Sequence, residues 1–209
     1  MHLLLTDRLS CPRCGPEFGL ILLADLMADR RVVEGTLGCP NCRDGFPVRG
    51  GFGDLRAPPR GELAPGRAGE PGPVDPLATD RLAALLGVAQ GPGTLLLMGA
   101  AARQAAGLAA RVQGVEVMAL DADMAGWPEA PQVSRLAARP GIPVFSRTLR
   151  GVVVDGALGA SWLAEAARVV ARLSRVVVTD APGDASAVLA GAGLQVLADE
   201  AGTVVAARG

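Results

Sequence analysis

Apolar and polar positions follow two different rhythms along the chain, and a stretch with neither rhythm separates them. Before residue 56 the apolar positions come in short strand-like runs, and residues 20–24 and 31–37 predict a hairpin. Residues 57–76, APPRGELAPGRAGEPGPVDP, are dominated by Pro and Gly and cannot sustain helix or sheet. They predict a linker that buries almost nothing. Beyond it, residues 77–89 read as a helix and residues 94–98 as the continuous apolar run of a strand covered on both faces. An Ala-rich helix over 103–112 leads to a second strand over 115–120, closed by Asp121. After a less regular stretch come a strand over 151–154, a helix over 161–173 with Ser161 as its N-cap, and a strand over 175–179. A short helix over 185–192 precedes two strand-like pieces, 194–198 and 203–207, around a turn at 199–202.

Strand and helix alternating at this spacing predict an α/β fold: a Rossmann-like, mostly parallel sheet with helices on both faces. So short a final turn makes the last pair antiparallel. The chain therefore divides into a small cysteine-bearing β unit (1–56), a linker (57–76) and an α/β unit (77–209).

Half of the residues are hydrophobic, enough for a real core, and the formal net charge is -1 with a pI near 5.9. Bulk electrostatics thus draw the protein toward neither nucleic acid nor anionic membrane. Only Leu3 to Leu5 are apolar before Asp7 and Arg8, and charges interrupt every later candidate span. The expectation is a cytoplasmic protein that is not inserted in a membrane. Lysine and tyrosine are absent and the one histidine is His2. That excludes a Walker-type phosphate loop, a pyridoxal Schiff base and a Ser-His-Asp triad, and leaves acid–base chemistry to Asp and Glu.

The cysteines form two C-x2-C turns separated by 24 residues, Cys11-Pro12-Arg13-Cys14 and Cys39-Pro40-Asn41-Cys42. Each turn aims two thiolates at one ion, and the pair completes a tetrahedron. Zinc suits such a site, and the geometry also accepts iron. With all four positions taken by protein the metal is structural, and a segment this small should unfold without it. Residues 31–56, RVVEGTLGCPNCRDGFPVRGGFGDLR, resemble the Trm112-type zinc ribbon, most specifically at Phe46-Pro47-Val48-Arg49-Gly50-Gly51. Gly51-Phe52-Gly53 departs from the family's usual Gly-Ile-Pro. In that family the ribbon activates methyltransferases as a partner or is fused ahead of one, so the resemblance implies the fused form and a protein partner.

Residues 77–209 resemble class I S-adenosylmethionine-dependent methyltransferases in element order. That resemblance implies a glycine-rich turn against the cofactor's methionine part and an acid on its ribose. Gly99 matches the first glycine, but Ala101 and Arg103 stand where the second and third belong, and Leu97 replaces the usual acid. Asp121 matches the ribose acid, followed by Asp123, and reads equally as a solvated strand end. The implied cofactor set is Gly99, Ala101 and Asp121, with S-adenosylmethionine as the ligand of a damaged site. Residues 152–157 fall where the family places its catalytic loop and lack the Asn/Asp-Pro-Pro-aromatic element. Asp155 is there a general base or, more simply, a solvated helix cap; Asp180 and Asp184 are equivalent candidates at a neighbouring strand end, and no catalytic residue stands out. Trp127 reads as packing, an adenine cover or a partner anchor, and Trp162 as packing.

Three functions follow. The favoured one is a partner-binding scaffold or activator subunit with a degenerate methyltransferase-like domain. The second is an active methyltransferase, because methyl transfer to a nucleophilic atom needs little beyond positioning. The third is nucleic-acid binding by the ribbon through Arg13, Arg43, Arg49 and Arg56, disfavoured because acids balance the arginines.

Overall fold

The computed structural model describes residues 1–209. A short 3-10 turn, Leu3–Arg8, opens the chain. Six strands follow: β1 (Ser10–Cys11), β2 (Gly15–Gly19), β3 (Ile21–Ala28), β4 (Arg31–Gly38), β5 (Gly45–Arg49) and β6 (Phe52–Asp54). β3 and β4 are the expected hairpin, paired antiparallel. No helix or strand lies between β6 and α1 (Pro76–Leu86). Asp75 caps α1 by accepting from the Leu77 amide, and Gly87 ends it at φ +66°, a left-handed conformation that suits glycine.

From there β7 (Gly93–Met98), α2 (Ala105–Arg111), β8 (Val115–Leu120), β9 (Val133–Ala137), β10 (Leu149–Asp155), α3 (Ala160–Val169), β11 (Val170–Thr179), α4 (Ala185–Gly191), β12 (Gln195–Glu200) and β13 (Thr203–Ala207) complete the chain. The sheet order is β12-β13-β11-β10-β7-β8-β9, with β13 antiparallel to both neighbours and the other contacts parallel. This is the methyltransferase-type Rossmann-like sheet that the element order implied. β7 neighbours β8 on one side and β10 on the other, so the winding reverses there and a crevice opens at the carboxyl ends of these strands.

The sheet does not stop at β9. β6 pairs with it in parallel, Phe52 opposite Arg135 and Asp54 opposite Ala137, and β5, β4 and β3 continue outward to give eleven strands. The seam is tight: a Cβ on Gly53 would lie 2.8 Å from Leu136 Cδ2. One apolar cluster runs along a face of this sheet from Leu9, Leu37, Phe46 and Val48 of the ribbon to Leu136, Val152 and Leu163. The other face packs Leu82, Leu86 and Leu108 of α1 and α2 on Leu95, Leu97, Val117 and Val153. The ribbon thus borrows a core that its own length would not supply.

Some expected boundaries move for physical reasons. β9 falls inside the stretch that reads as irregular, because Ser134 and Arg135 interrupt its apolar run. Both are nevertheless buried: the Ser134 hydroxyl accepts from the His2 amide at 2.9 Å, and the Arg135 guanidinium donates to the Trp127 and Gly50 carbonyls. The helix expected to reach residue 173 stops at Val169, and its last four residues join the Val176–Val178 run as β11, paired in parallel with β10. Leu173 then projects into solvent at 88% exposure. Ser161 is not the N-cap of α3: Gly159 occupies that position and Ser161 lies inside the helix. The helix expected from residue 103 starts as a 3-10 turn, Gly99–Gln104, before α2. No helix is long and apolar enough to cross a membrane.

Candidate functional site

Two constellations carry chemistry. The first is the cysteine cluster, where β1 delivers Cys11 and the turn after β4 delivers Cys39 and Cys42. All four Sγ atoms lie within 4.8 Å of one another, with Cys11–Cys42 at 3.7 Å and Cys14–Cys39 at 3.8 Å. A disulfide would need about 2.05 Å. Four sulfurs at about 2.3 Å from a tetrahedral ion sit roughly 3.8 Å apart, which these two pairs match. The Cys14 amide donates to Cys11 Sγ at 3.4 Å and Asn41 Nδ2 to Cys14 Sγ at 3.2 Å, orienting the donors from outside.

Without a cation the thiols conflict. Burial and the neighbouring sulfurs push Cys42 up to about 12. Burial also raises Cys39, but the amides of Cys42 and Asn41 outweigh it and lower that thiol to about 7. A divalent ion removes the conflict by stabilising all four thiolates at once. The donor set fits a closed tetrahedral metal with no coordination position left over.

The second constellation is the crevice. Gly99 adopts φ +66° immediately after β7, and a Cβ there would meet Asp155 Cβ at 2.8 Å. Ala101 turns inward and joins the apolar cluster beneath the turn, a filling that a glycine would not provide. Asp121 and Asp155 end β8 and β10 as expected, but neither is solvated: they are 7% and 0% exposed. What covers them is the linker. The Arg67 amide donates to Asp121 Oδ2 at 2.9 Å, and the amides of Gly66 and Gly69 donate to the two oxygens of Asp123 at 2.7 and 2.9 Å. The Arg67 guanidinium meets Asp155 Oδ2 at 2.5 Å. Arg103 Nη2 donates to the Ala68 carbonyl at 3.1 Å and Trp127 Nε1 to the Gly69 carbonyl at 2.9 Å.

The linker therefore does not lie free. Ala68 is 1% exposed, and a Cβ on Gly66 would fall 1.6 Å from Asp121 Oδ1, so only glycine fits. Asp155 also accepts from the amides of Ala100 at 3.1 Å and Ala157 at 3.0 Å, capping the 3-10 turn that follows β10. Burial alone would push its carboxyl up; the Arg67 guanidinium and these two amides override burial and hold it below the ordinary carboxylate range.

The structure brings Gly99, Ala101, Asp121, Asp123, Asp155, Arg103 and Trp127 to one edge. Asp180 and Asp184 remain exposed. The seating of Gly66 to Gly69 carried no sequence signal, because a Gly-Arg-Ala-Gly run among prolines has no periodicity to read. Beside the crevice lies a cavity of about 550 Å³, walled by Leu77 and Arg81 of α1, Ala100, Arg103, Asp180 and Thr203. Of the four arginines of the expected basic face, Arg13 pairs with Asp44 at 2.9 Å, while Arg56 is bound to Asp54 and to linker carbonyls. That leaves Arg43 and Arg49 as the free cations of the expected basic face.

No protein-family model and no curated protein matches the chain. Among solved structures it is similar to a Galdieria sulphuraria protein assigned as a sarcosine dimethylglycine methyltransferase, at 17% identity and a TM-score of 0.47, over 59% of this chain and 62% of that one. The chain thus spans less than two thirds of that structure's length. It is also similar to the 1,6-didemethyltoxoflavin-N1-methyltransferase of Burkholderia thailandensis, at 17% identity and a TM-score of 0.45, covering 63% of this chain and 76% of that one. A third is a chain from the Haloferax volcanii complex between the Trm112 methyltransferase activator and the protein assigned as its methyltransferase, at 16% identity and a TM-score of 0.44, covering 57% and 69%. The fold rests on the sheet order above, not on these likenesses.

Proposed function

We propose that the protein is a zinc-ribbon scaffold or activator subunit that acts through a protein partner, its methyltransferase-like domain having given up the cofactor. The observation that carries this reading is the linker in the crevice. Asp121, the acid that would take ribose hydroxyls, already accepts from the Arg67 amide, and no side chain or ligand atom has room between it and Gly66. Were S-adenosylmethionine bound, the backbone at Gly99 and the Asp121 carboxylate would hold it, and the cofactor would supply an electrophilic methyl group. Arg103, hydrogen-bonded to the Ala68 carbonyl, narrows that approach further.

Zinc, held by Cys11, Cys14, Cys39 and Cys42, has a structural role in this reading, because a four-thiolate site leaves no place for substrate. A partner surface is supported by β3, the outermost strand, where Ile21 and Leu23 are 56% and 63% exposed beside Leu26 on an unpaired sheet edge. The second reading, an active methyltransferase, draws on Asp121 alone: the strand-end acid is present and the hydrogen bonds covering it are reversible. Calorimetric titration of zinc-loaded protein with S-adenosylmethionine and S-adenosylhomocysteine, beside an Asp121→Ala variant, separates the two. The scaffold reading expects no heat up to millimolar ligand. Micromolar binding abolished by Asp121→Ala would replace it with the enzyme reading.

A further inference from the structure

The linker is held in the crevice too specifically to be mere filler. Its amides at Gly66, Arg67 and Gly69 all point to carboxylates, and its carbonyls at Ala68 and Gly69 point to donors on Arg103 and Trp127. Both polarities of the backbone are thus read, as in peptide recognition. Side chains are read as well. The first position admits no Cβ, since one would overlap Asp121 Oδ1 at 1.6 Å. The second is matched by Asp155, whose buried carboxylate takes a guanidinium N–H in a charge-assisted bond. The third must be small, because the Ala68 side chain is buried in the apolar cluster. The fourth sits at φ +70°, where glycine is favoured.

From this geometry we infer that the crevice is a peptide-binding site for an arginine-bearing Gly-Arg-small-Gly segment, and that residues 66–69 are its tethered ligand. The inference rests on the reading that the crevice is not a cofactor site. It adds the chemistry of what the crevice takes. A covalent tether of this length presents its segment at an effective concentration on the order of millimolar, so a modest intrinsic affinity fills the site. A partner segment of the same chemistry occupies the crevice only by displacing the linker.

The test uses the full chain with Gly66→Val and Arg67→Ala together, which removes the fit and the guanidinium. The probe is a fluorescent peptide of residues 63–71, read by anisotropy. The opened protein is expected to bind it at least tenfold more tightly than the unaltered protein does, and at least tenfold more tightly than the same peptide with alanine for arginine. Equal binding by both proteins, or no binding by an opened variant that retains its melting transition, overturns the inference. Should the variant fail to fold, amide exchange on the unaltered protein decides: protection of the Gly66, Arg67 and Gly69 amides supports the inference, and exchange at the rate of an open loop refutes it. Cofactor binding by the unaltered protein would contradict the functional reading, whereas peptide silence toward a folded opened variant contradicts only the inference.

Discussion

Asp155→Ala is the substitution whose cost can be worked most directly from the structure. The carboxylate is fully buried and is the acceptor for two backbone amides, Ala100 and Ala157, besides the Arg67 guanidinium. Ala100 is half-buried and Ala157 exposed, so the cost is that of two hydrogen bonds to a charged group at the low end of about 1.5–3 kcal/mol each, about 3 kcal/mol in all. The Arg67 side chain is half solvent-exposed and its contact is partly screened, so the figure counts the two amides only and is a lower bound. In a chain of this size the loss corresponds to a fall in melting temperature of roughly 6–12 °C. Urea denaturation should show the full loss for Asp155→Ala and about half of it for Asp155→Asn, which retains one acceptor oxygen.

The pH dependence has a fixed sign. Because the folded carboxyl titrates below its unfolded counterpart, the stabilisation is complete above about pH 4 and disappears as pH falls through the lower folded value. The difference between unaltered protein and Asp155→Ala should therefore stay constant from about pH 5 upward and shrink below about pH 4. A variant within about 0.5 kcal/mol of the unaltered protein at neutral pH would refute the reasoning.

Other expectations follow from particular contacts. Gly53→Val should strain the seam against Leu136 and destabilise the chain by about 1–3 kcal/mol, read by denaturation; an unchanged midpoint would contradict the close packing there. Metal removal by a strong chelator should speed amide exchange across 11–14 and 39–42 while β7 and β8 keep their protection, since Leu37 and Phe46 share the core of the α/β unit. Loss of protection throughout would show that the metal holds the whole chain together. Trp127→Phe should keep the ring's packing but free the Gly69 carbonyl, raising proteolysis within 60–72 severalfold; no change would deny that contact a role.

The sheet and its polarity were legible in the sequence because 94–98, 115–120 and 203–207 are short apolar runs bounded by clear turn signals. The four cysteines were legible because their spacing encodes their geometry. β9 was not, since buried Ser134 and Arg135 take partners that no local pattern announces, among them His2, Gly50, Trp127 and Glu129. The end of α3 was ambiguous for a related reason: valines after residue 168 suit a helix face and a strand alike, and pairing with β10 decides. At the crevice, Gly99, Asp121 and Asp155 could be located by their strand ends, yet their surroundings could not. The linker's place depends on complementarity between Gly66 to Gly69 and three aspartates lying 50 or more residues away, and composition alone suggested a free tether.

The most direct test of the central claim is a crystal structure of the zinc-loaded protein grown with millimolar S-adenosylhomocysteine. Density is expected for Gly66 to Gly69 on Asp121, Asp123 and Asp155 and none for a nucleoside. A nucleoside whose ribose rests on Asp121, with the linker displaced, would contradict the claim.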